Sequence, residues 1–341
     1  MRSAKGRTFI IAEISANHGG SLEIAEKTIH AIAATGADAV KVQTYRPESL
    51  SLDVDNEYFG PKKEGAWKGI RPWDLYRDAA MPYEWQPRLK VLAEELGLVF
   101  FSSPFDLEGV DFLESLQVPC YKIASFEITD IPLIKKAAST GKPIIISTGV
   151  AGIEDIRLAI DSCYAVGNRD ITLLKCTSEY PASIDAANLT MMQDMASRFG
   201  VKVGVSDHTM GSLIPVMATA LGGCMIEKHF ILDRALGGAD AAFSMEPSEF
   251  AEMVTSVRAA ESALGRVDYS VSEKDALRRR SLFWAKDIAI GQVVTTEHLR
   301  SVRPGHGLPP VLFSEVLGLT ASRDRQCGDP VSMDDMIRVR G

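Results

Sequence analysis

The amino-acid sequence predicts a (β/α)8 barrel followed by a small β-rich C-terminal domain. Three observations indicate this fold class. Eight short apolar runs occur within the first 265 residues, and amphipathic segments separate them. The runs are continuously apolar, as expected for strands buried on both faces of a parallel sheet. Eight strand–helix units in about 265 residues match the usual size of such a barrel.

The apolar runs give the predicted strands in chain order: 8–14, 38–44, 98–103, 119–125, 142–148, 170–176, 201–206 and 223–229. Amphipathic segments at 21–36 and 153–167 end in Gly36 and Gly167, as helices often do at their C-terminal caps. A further helical segment at 248–265 follows the eighth strand. The alternative is a doubly wound sheet, but the sequence after the first strand, SANHGGS, lacks the GxGxxG turn of that fold.

The chain is predicted to form a barrel domain at 1–266, a linker at 267–281 and a C-terminal domain at 282–341. The linker sequence is polar and contains three consecutive arginines. Beyond it, short apolar runs alternate with glycine and proline turns. A domain of about sixty residues is near the lower limit for independent folding, so we expect it to rest on the barrel or on a second subunit.

Composition excludes several classes of partner. The net charge of −8 and the isoelectric point near 5.4 argue against nucleic acid and against an anionic membrane surface. No apolar run approaches the roughly 18 residues of a membrane span. The five cysteines are scattered and form no CxxC pair, which indicates a reducing compartment and no thiolate zinc site. We therefore predict a cytoplasmic location.

Polar residues follow the predicted strands, where the active site of a barrel forms. Lysines and hydroxyl groups there are typical of a site for phosphate or carboxylate oxygens. His208 and His229 follow the last two strands, 21 positions apart, and with a nearby carboxylate they are suitable donors for a divalent metal with open positions. We also expect His18, in the first loop after a strand, to line the site.

Three alternatives stay open at this level. Lys41 or Lys122 can be the anchor of a structural ion pair with Glu13 or Glu127. A buried lysine, Lys122 in particular, can act as a Schiff-base nucleophile in a metal-free aldolase. The barrel can also be a non-catalytic carbohydrate-binding protein or scaffold.

Nine sequence motifs add a family resemblance: AEISANHGGSLEIA, VKVQT, FSSPFD, YKIASFEITDIPLI, GKPIIISTG, KCTSEYPA, GVSDHT, IEKHF and RPGHG. Together they resemble the sialic acid synthase family, the phosphoenolpyruvate-dependent nonulosonate synthases. The resemblance runs from about residue 8 to the C-terminus. The loop sequences DNEYFG, WKGIRPWDLYRDAAMPYEW and LDRALGGADAAFSMEP are most similar to the pseudaminic acid branch. The N-acetylneuraminate and legionaminate branches are the alternatives.

The resemblance implies a TIM barrel joined to an antifreeze-like (SAF) domain, in a domain-swapped homodimer where the small domain caps the partner's active site. It implies a transferase that condenses phosphoenolpyruvate with 2,4-diacetamido-2,4,6-trideoxy-L-altrose and releases pseudaminic acid and phosphate. It also implies a divalent metal ion, Mn²⁺ or alternatively Co²⁺ or Mg²⁺. Flagellin or surface-polysaccharide glycosylation is the use of the product that the family suggests.

The resemblance also assigns roles to individual positions. The residues implied to bind phosphoenolpyruvate are Lys41, Ser103, Lys122, Ser125, Ser147, Ser178 and Ser206. Those implied to contact the sugar are Gln43, Tyr180, Asp240 and, from the C-terminal domain, Arg303. His208 and His229 are implied to hold the metal. Glu13 and Glu127 are implied to lie beside the metal and the reacting centre.

Overall fold

The computed structural model describes residues 7–64 and 67–337. The chain divides between Gly265 and Arg266 into two compact units. The first six residues of the predicted barrel domain and the last four of the predicted C-terminal domain lie outside the described residues.

The N-terminal unit contains a closed barrel of eight parallel strands in sequential order. Every predicted strand is present, and the predicted barrel is confirmed. The strands are β1 (Phe9–Glu13), β2 (Ala39–Thr44), β3 (Val99–Pro104), β4 (Tyr121–Ile123), β5 (Ile144–Ser147), β6 (Ile171–Cys176), β7 (Lys202–Asp207) and β8 (Met225–His229). Since all eight point the same way, their carboxyl ends meet at one end of the barrel.

Helices separate the strands and cover the outside of the barrel. They are α1 (Leu22–Ala34), α2 (Pro47–Leu50), α3 (Pro72–Ala79), α4 (Gln86–Glu95), α5 (Leu107–Ser115), α6 (Ile131–Ser139), α7 (Ile153–Ala165), α8 (Thr190–Phe199), α9 (Leu213–Ala220) and α10 (Pro247–Leu264). The first of them shows how sequence sets the ends: the Ser21 hydroxyl accepts a hydrogen bond from the Ile24 amide, and Gly36 follows with φ +80°. None of the helices described combines the length and the apolar composition that crossing a bilayer requires.

Side chains inside the barrel form two layers. The lower layer is an apolar cluster of Phe9, Ile11, Ala39, Phe101, Cys120, Ile145, Leu174 and Met225. Two residues further along the strands, the upper layer is polar and consists of Glu13, Lys41, Ser103, Lys122, Ser147, Ser206 and Glu227. Every second side chain of a strand faces the barrel interior, so the apolar lower layer lies directly beneath the polar upper layer.

Gly204 on β7 is required by close packing of two strands. A Cβ atom at this position would lie 2.2 Å from the Met225 carbonyl oxygen and 2.9 Å from the Leu174 side chain. Any larger residue would therefore push β7 and β8 apart. Because Ser206 and Glu227 follow on these same two strands and face one another in register, this contact also fixes part of the upper layer.

The C-terminal unit is small and built on two antiparallel strand pairs. Its elements are α11 (Glu273–Leu277), β9 (Ser281–Trp284), β10 (Leu299–Val302), α12 (Phe313–Val316), β11 (Thr320–Ala321) and β12 (Met336–Ile337). A separate apolar core, with Trp284 and Leu282 at its centre, is buried inside this unit. The predicted linker is not featureless, because α11 lies within it, where Ser272 caps the helix by accepting from the Asp275 amide.

Candidate active site

A cavity of about 480 Å³ opens at the carboxyl end of the barrel strands. It lies above the upper layer and extends to the loops that follow the strands. Most of the site residues predicted in the barrel line it: Glu13, Lys41, Gln43, Lys122, Ser125, Glu127, Ser147, Tyr180, Ser206, His208, His229 and Asp240. The strand ends therefore converge as the sequence predicted.

Two buried lysines and two buried carboxylates form the floor of this cavity. The Lys41 Nζ atom lies 2.8 Å from Glu13 Oε2 and 3.7 Å from Glu227 Oε1. Lys122 Nζ donates to both oxygens of Glu227, at 2.8 and 3.1 Å. The Ser206 hydroxyl donates to the same carboxylate at 3.2 Å. Glu227 thus links both lysines, which the sequence prediction missed when it left this residue out of the site.

Glu227 and Glu13 differ in protonation behaviour although they lie in one cluster. Burial opposes the charge on Glu227, but Lys122 and Lys41 outweigh it and lower the pKa of Glu227 to about 2. Burial raises the pKa of Glu13, the charge of Glu227 adds to this, and Lys41 opposes it. The cluster therefore has one firmly ionised carboxylate and one that takes a proton more readily.

Glu127 lies on the loop after β4 and lines the cavity from another side. Burial raises its pKa from 4.5 to about 7. One of its oxygens, Oε2, is buried with no hydrogen-bond partner among the described residues. A carboxyl group with a pKa near neutrality and one oxygen without a partner has the properties of a general acid or base.

The predicted hydroxyl groups occupy different positions around the lysines. The Ser147 hydroxyl is buried and has no partner in the part of the chain that is described. Ser125 accepts a hydrogen bond from the Gly149 amide at 3.1 Å. Ser103 and Ser178 do not line the cavity: Ser103 accepts from Lys41 Nζ at 3.3 Å, and the Ser178 hydroxyl would lie 2.1 Å from a Cβ atom at Gly149.

His208 and His229 are neighbours above the floor, with ring centroids 5.2 Å apart. The His208 Nδ1 atom is 2.8 Å from the Thr177 carbonyl oxygen, so Nδ1 carries a proton and Nε2 is the ring nitrogen that could bind a metal. The His229 Nδ1 atom is buried without a hydrogen-bond partner among the described residues. Burial and the surrounding cationic groups lower the pKa of His229 well below its ordinary value, so its ring is neutral.

This donor set fits a divalent cation with open coordination positions. Imidazole nitrogens are suitable ligands for such an ion, and Asp240 Oδ2 lies 3.9 Å from His229 Nδ1. Within residues 7–64 and 67–337, three or more His, Cys, Asp or Glu side chains do not gather into a ready-made metal cluster. The remaining positions would therefore be filled by water or substrate, as in catalytic sites that keep open positions.

The residues predicted to contact a sugar surround the histidines. The Tyr180 ring centroid lies 4.4 Å from that of His208. Gln43 donates to the Ser15 hydroxyl at 3.0 Å, and the Ala16 amide donates to Asp240 at 3.4 Å. The loop after β1 therefore holds both polar groups in place at the cavity wall.

The prediction that His18 lines the site is wrong. His18 is fully buried and does not reach the cavity. Its Nδ1 atom accepts from the Gly20 amide at 3.1 Å, so Nε2 donates to the Ala79 carbonyl at 3.2 Å. The turn at Gly19 and Gly20 places the ring against Trp85, and its hydrogen bond to Ala79 stabilises the end of α3.

Arg303 lies in the C-terminal unit, directly after β10, and its side chain is exposed. Its predicted contact with a sugar stays a prediction. The cavity is also lined by residues that the sequence analysis did not single out. Tyr45 and Phe105 immediately follow β2 and β3, so their positions in the chain could have predicted that they line the cavity. Leu75 and Tyr76 come from α3, and nothing in the sequence of this helix predicts that it reaches the cavity.

The fold and the site define a class of protein: a (β/α)8-barrel enzyme with a buried floor of paired lysines and glutamates beside a pair of imidazoles. The chain belongs to the NeuB family, whose match covers residues 28–269. Residues 279–337 match the SAF domain. Both findings confirm the resemblance that the sequence motifs indicated.

Individual relatives show the same relationship over nearly the whole chain. The sequence is 45% identical to a pseudaminic acid synthase from Helicobacter pylori, over 96% of this chain and 98% of that protein. It is 38% identical to an N,N'-diacetyllegionaminic acid synthase from Legionella pneumophila, over 96% of this chain and 94% of that protein. Among solved structures, an N-acetylneuraminic acid synthetase from Leptospira borgpetersenii in complex with citrate is 34% identical, with a TM-score of 0.69 over 79% of this chain and 88% of that one.

Proposed function

We propose that this chain is a transferase that condenses phosphoenolpyruvate with 2,4-diacetamido-2,4,6-trideoxy-L-altrose to give pseudaminic acid and phosphate. The observation that carries the reaction type is the arrangement of two buried lysines on the cavity floor with two neighbouring histidines above them. The 45% identity to a pseudaminic acid synthase supports this sugar, and the lower identity to a legionaminic acid synthase leaves that sugar as the alternative.

Phosphoenolpyruvate is proposed to bind on the floor through charge and hydroxyl donors. Lys41 and Lys122 supply positive charge, and Glu227 favours the ionised form of Lys122 by accepting two hydrogen bonds from it. The hydroxyl groups proposed to surround the phosphate and carboxylate oxygens are Ser125, Ser147 and Ser206, with Ser103 and Ser178 next to them. Ser147 is already free to donate, since it has no partner among the described residues.

His208 and His229 are proposed to hold a divalent ion, Mn²⁺ in the first instance and Co²⁺ or Mg²⁺ as alternatives. When bound there, such an ion supplies Lewis acidity that polarises the sugar aldehyde. The Thr177 carbonyl fixes the tautomer of His208 and thereby keeps its second nitrogen available. The neutral state of His229 keeps its nitrogen lone pair available as well.

The two remaining carboxyl groups are proposed to assist the chemistry. Attack of the enol carbon on the aldehyde leaves positive charge on the carbon that bears the phosphate, and Glu13 on the floor can stabilise it. Glu127, with its pKa near 7, can then take a proton from the water that adds at this carbon. The resulting tetrahedral intermediate loses phosphate by C–O cleavage. The roles of Glu13 and Glu127 can also be exchanged.

The sugar is proposed to lie between the histidines and the cavity mouth. Gln43, Tyr180 and Asp240 would contact it from the barrel. We further propose a cytoplasmic homodimer in which the C-terminal domain, 282–341, is swapped across the linker 267–281 and supplies Arg303 to the partner's barrel domain, 1–266. Flagellin glycosylation is the proposed use of the product.

The Schiff-base alternative receives less support. It needs an unprotonated Lys122, and although burial lowers the pKa of this lysine, its ammonium group is bound by both oxygens of an ionised carboxylate. Borohydride treatment with substrate distinguishes the two reactions, because only an aldolase would give a covalent adduct on Lys122. A non-catalytic role is opposed by the complete set of charged residues on the floor.

Phosphate release from phosphoenolpyruvate tests the proposal directly. Purified protein is offered the altrose sugar, its diacetamido mannose-configured counterpart, a bacillosamine-type diacetamido sugar and N-acetylmannosamine in parallel, with and without chelator. We expect the altrose sugar to give the highest kcat/KM, chelator to abolish release, and Mn²⁺ to restore it. Preference for N-acetylmannosamine would contradict the proposed sugar and leave the reaction type standing.

A further inference from the structure

One side of the outer part of the cavity has a different chemistry from its floor. We define the outer wall as Tyr45, Leu50, Leu75, Tyr76, Ala79 and Phe105, all of which line the cavity. None of these residues carries a charge, whereas the floor is built almost entirely from charged and hydroxyl side chains. Tyr45 and Phe105 come directly after β2 and β3, so the wall lies beyond the strand ends that carry the floor.

One face of α3 supplies half of this wall. Leu75, Tyr76 and Ala79 are three and four residues apart and therefore share a face of the helix. The opposite face is solvated, where Asp74 accepts from Arg71 at 2.7 Å and from Arg77 at 3.0 Å. The helix thus turns its apolar stripe toward the cavity and its ion pairs toward solvent.

The wall is held in place by a hydrogen bond from His18 and by ring contacts among its own residues. The His18 ring donates to the Ala79 carbonyl at the end of α3. The Tyr45 ring packs edge-on against Phe105 at 5.3 Å and against Tyr76 at 6.3 Å. A surface held by these contacts can discriminate between ligands by shape and polarity, since it does not relax easily around a ligand that fits poorly.

Two hydroxyl groups on the wall are free to donate. The phenol oxygens of Tyr45 and Tyr76 have no hydrogen-bond partner among the described residues. Neither oxygen is fully buried, and both residues line the cavity. Burial raises the pKa of both phenols, so both keep their protons at neutral pH. The wall therefore combines apolar surface with two hydrogen-bond donors.

We propose that the outer wall is the specificity surface for the acceptor sugar, receiving its far end and selecting a terminal methyl group and an acylamino group over hydroxyl groups. This inference rests on the proposed function, in which the aldehyde end of the sugar lies at the histidines. A terminal hydroxyl placed against Leu75 and Ala79 loses its hydrogen bonds to water and finds none, whereas a methyl group fits there. The carbonyl oxygen of an acylamino group accepts from Tyr45 or Tyr76.

The test measures kcat/KM by phosphate release for three sugars that differ at one carbon each. The reference is 2,4-diacetamido-2,4,6-trideoxy-L-altrose, and the analogues carry a hydroxyl at C6 or a hydroxyl in place of the C4 acetamido group. We expect the wild-type protein to prefer the 6-methyl sugar over its 6-hydroxy analogue by about 10- to 100-fold, the range in which an apolar pocket discriminates against an added hydroxyl.

Two wall variants separate the two contacts. Leu75→Gln should reduce the preference for the 6-methyl sugar at least about fivefold, because it places a hydrogen-bonding group beside C6. Tyr76→Phe should lower kcat/KM for the 4-acetamido sugar by about 3- to 10-fold and leave that for the 4-hydroxy analogue nearly unchanged, as the loss of one hydrogen bond would. The KM for phosphoenolpyruvate should stay at the wild-type value in both.

Matched controls come from the same helix. Asp78→Asn, on the exposed face of α3, and Leu75→Met, which preserves the apolar surface, should both keep the wild-type selectivity. Thermal unfolding midpoints confirm folding, and Ala79→Ser tests the same face should Leu75→Gln prove unstable. The inference would be overturned if the C6 variant, Leu75→Gln or its substitute Ala79→Ser, and the C4 variant, Tyr76→Phe, both kept the wild-type selectivity. It would also be overturned if the wild-type protein did not distinguish the C6 analogues. Absence of phosphate release with any diacetamido sugar would instead overturn the proposed function.

Discussion

The lower and upper layers of the barrel interior belong to the same strands but perform different tasks. In the lower layer the inward side chains are apolar and buried, and they stabilise the closed barrel by removing apolar surface from water. In the upper layer, two residues further along, buried lysines face buried glutamates. Burying charges carries a desolvation cost that their pairing offsets only in part, so this layer contributes little to stability. Residues that stabilise the fold and residues proposed to carry the function are therefore only two positions apart on the same strands.

The largest effect is expected from removing a charge in the upper layer. Lys122→Met should lower kcat/KM for phosphoenolpyruvate on the order of 10³-fold, because it removes one of two cations on the floor and leaves the Glu227 carboxylate without its nearest partner. The control is Lys142→Met, which removes a lysine paired with Glu114 outside the cavity. Steady-state kinetics at saturating sugar measures both. A wild-type KM for phosphoenolpyruvate in Lys122→Met would show that the floor does not bind this substrate.

A pair of alanine variants on β5 compares the layers directly. Ile145→Ala in the lower layer should cost about 2–5 kcal/mol of stability, the usual range for a truncated core side chain, and leave the KM for phosphoenolpyruvate unchanged. Ser147→Ala in the upper layer should leave stability nearly unchanged and raise the KM for phosphoenolpyruvate. Its hydroxyl has no partner among the described residues, so stability should change little, while KM should rise about 10-fold through loss of a hydrogen bond to a charged ligand. Urea unfolding and steady-state kinetics measure the two effects, and equal behaviour of the two variants would contradict the division.

The third prediction concerns the pH dependence of stability. Because the pKa of Glu127 is raised from 4.5 to about 7, the native chain keeps a proton in this interval that the unfolded chain releases. The stability associated with this proton is fully present below pH 4.5 and is lost as the pH rises to 7. Glu127→Gln does not titrate, so its stability relative to the wild type should increase by about 3 kcal/mol between these pH values and then level off.

Urea unfolding at several pH values, with chelator present, measures this difference. The control is Glu252→Gln, which makes the same substitution at an exposed position on α10. A constant stability difference between Glu127→Gln and the wild type from pH 4.5 to 7 would show that Glu127 titrates normally.

Much of the fold follows from the sequence because its signals are local. Strands buried on both faces leave continuous apolar runs, and polar residues in or just after the carboxyl-terminal part of a run face the cavity, which is how Lys41, Lys122 and both histidines could be found. Which side chains oppose each other across a barrel depends on register and stagger, and these are not local. The sequence therefore did not predict Glu227 as the partner of two lysines.

The outer wall illustrates a second limit. α3 lies in a long connection between β2 and β3, and its apolar face gives no indication of whether it packs on the core or lines a cavity. His18 failed for a related reason. Its position after β1 favoured the cavity, but the following glycines turn the ring toward Ala79, and a turn of this kind depends on tertiary contacts.

The most direct test of the central claim, that His208 and His229 share one cation above the lysine floor, is a Mn²⁺ titration followed by electron paramagnetic resonance. The wild-type protein and His30→Ala, a variant of an exposed histidine on α1, should each bind one ion per chain. His208→Ala and His229→Ala should bind at least about 100-fold more weakly while unfolding at wild-type temperatures. Wild-type Mn²⁺ affinity in both of these variants would contradict the account.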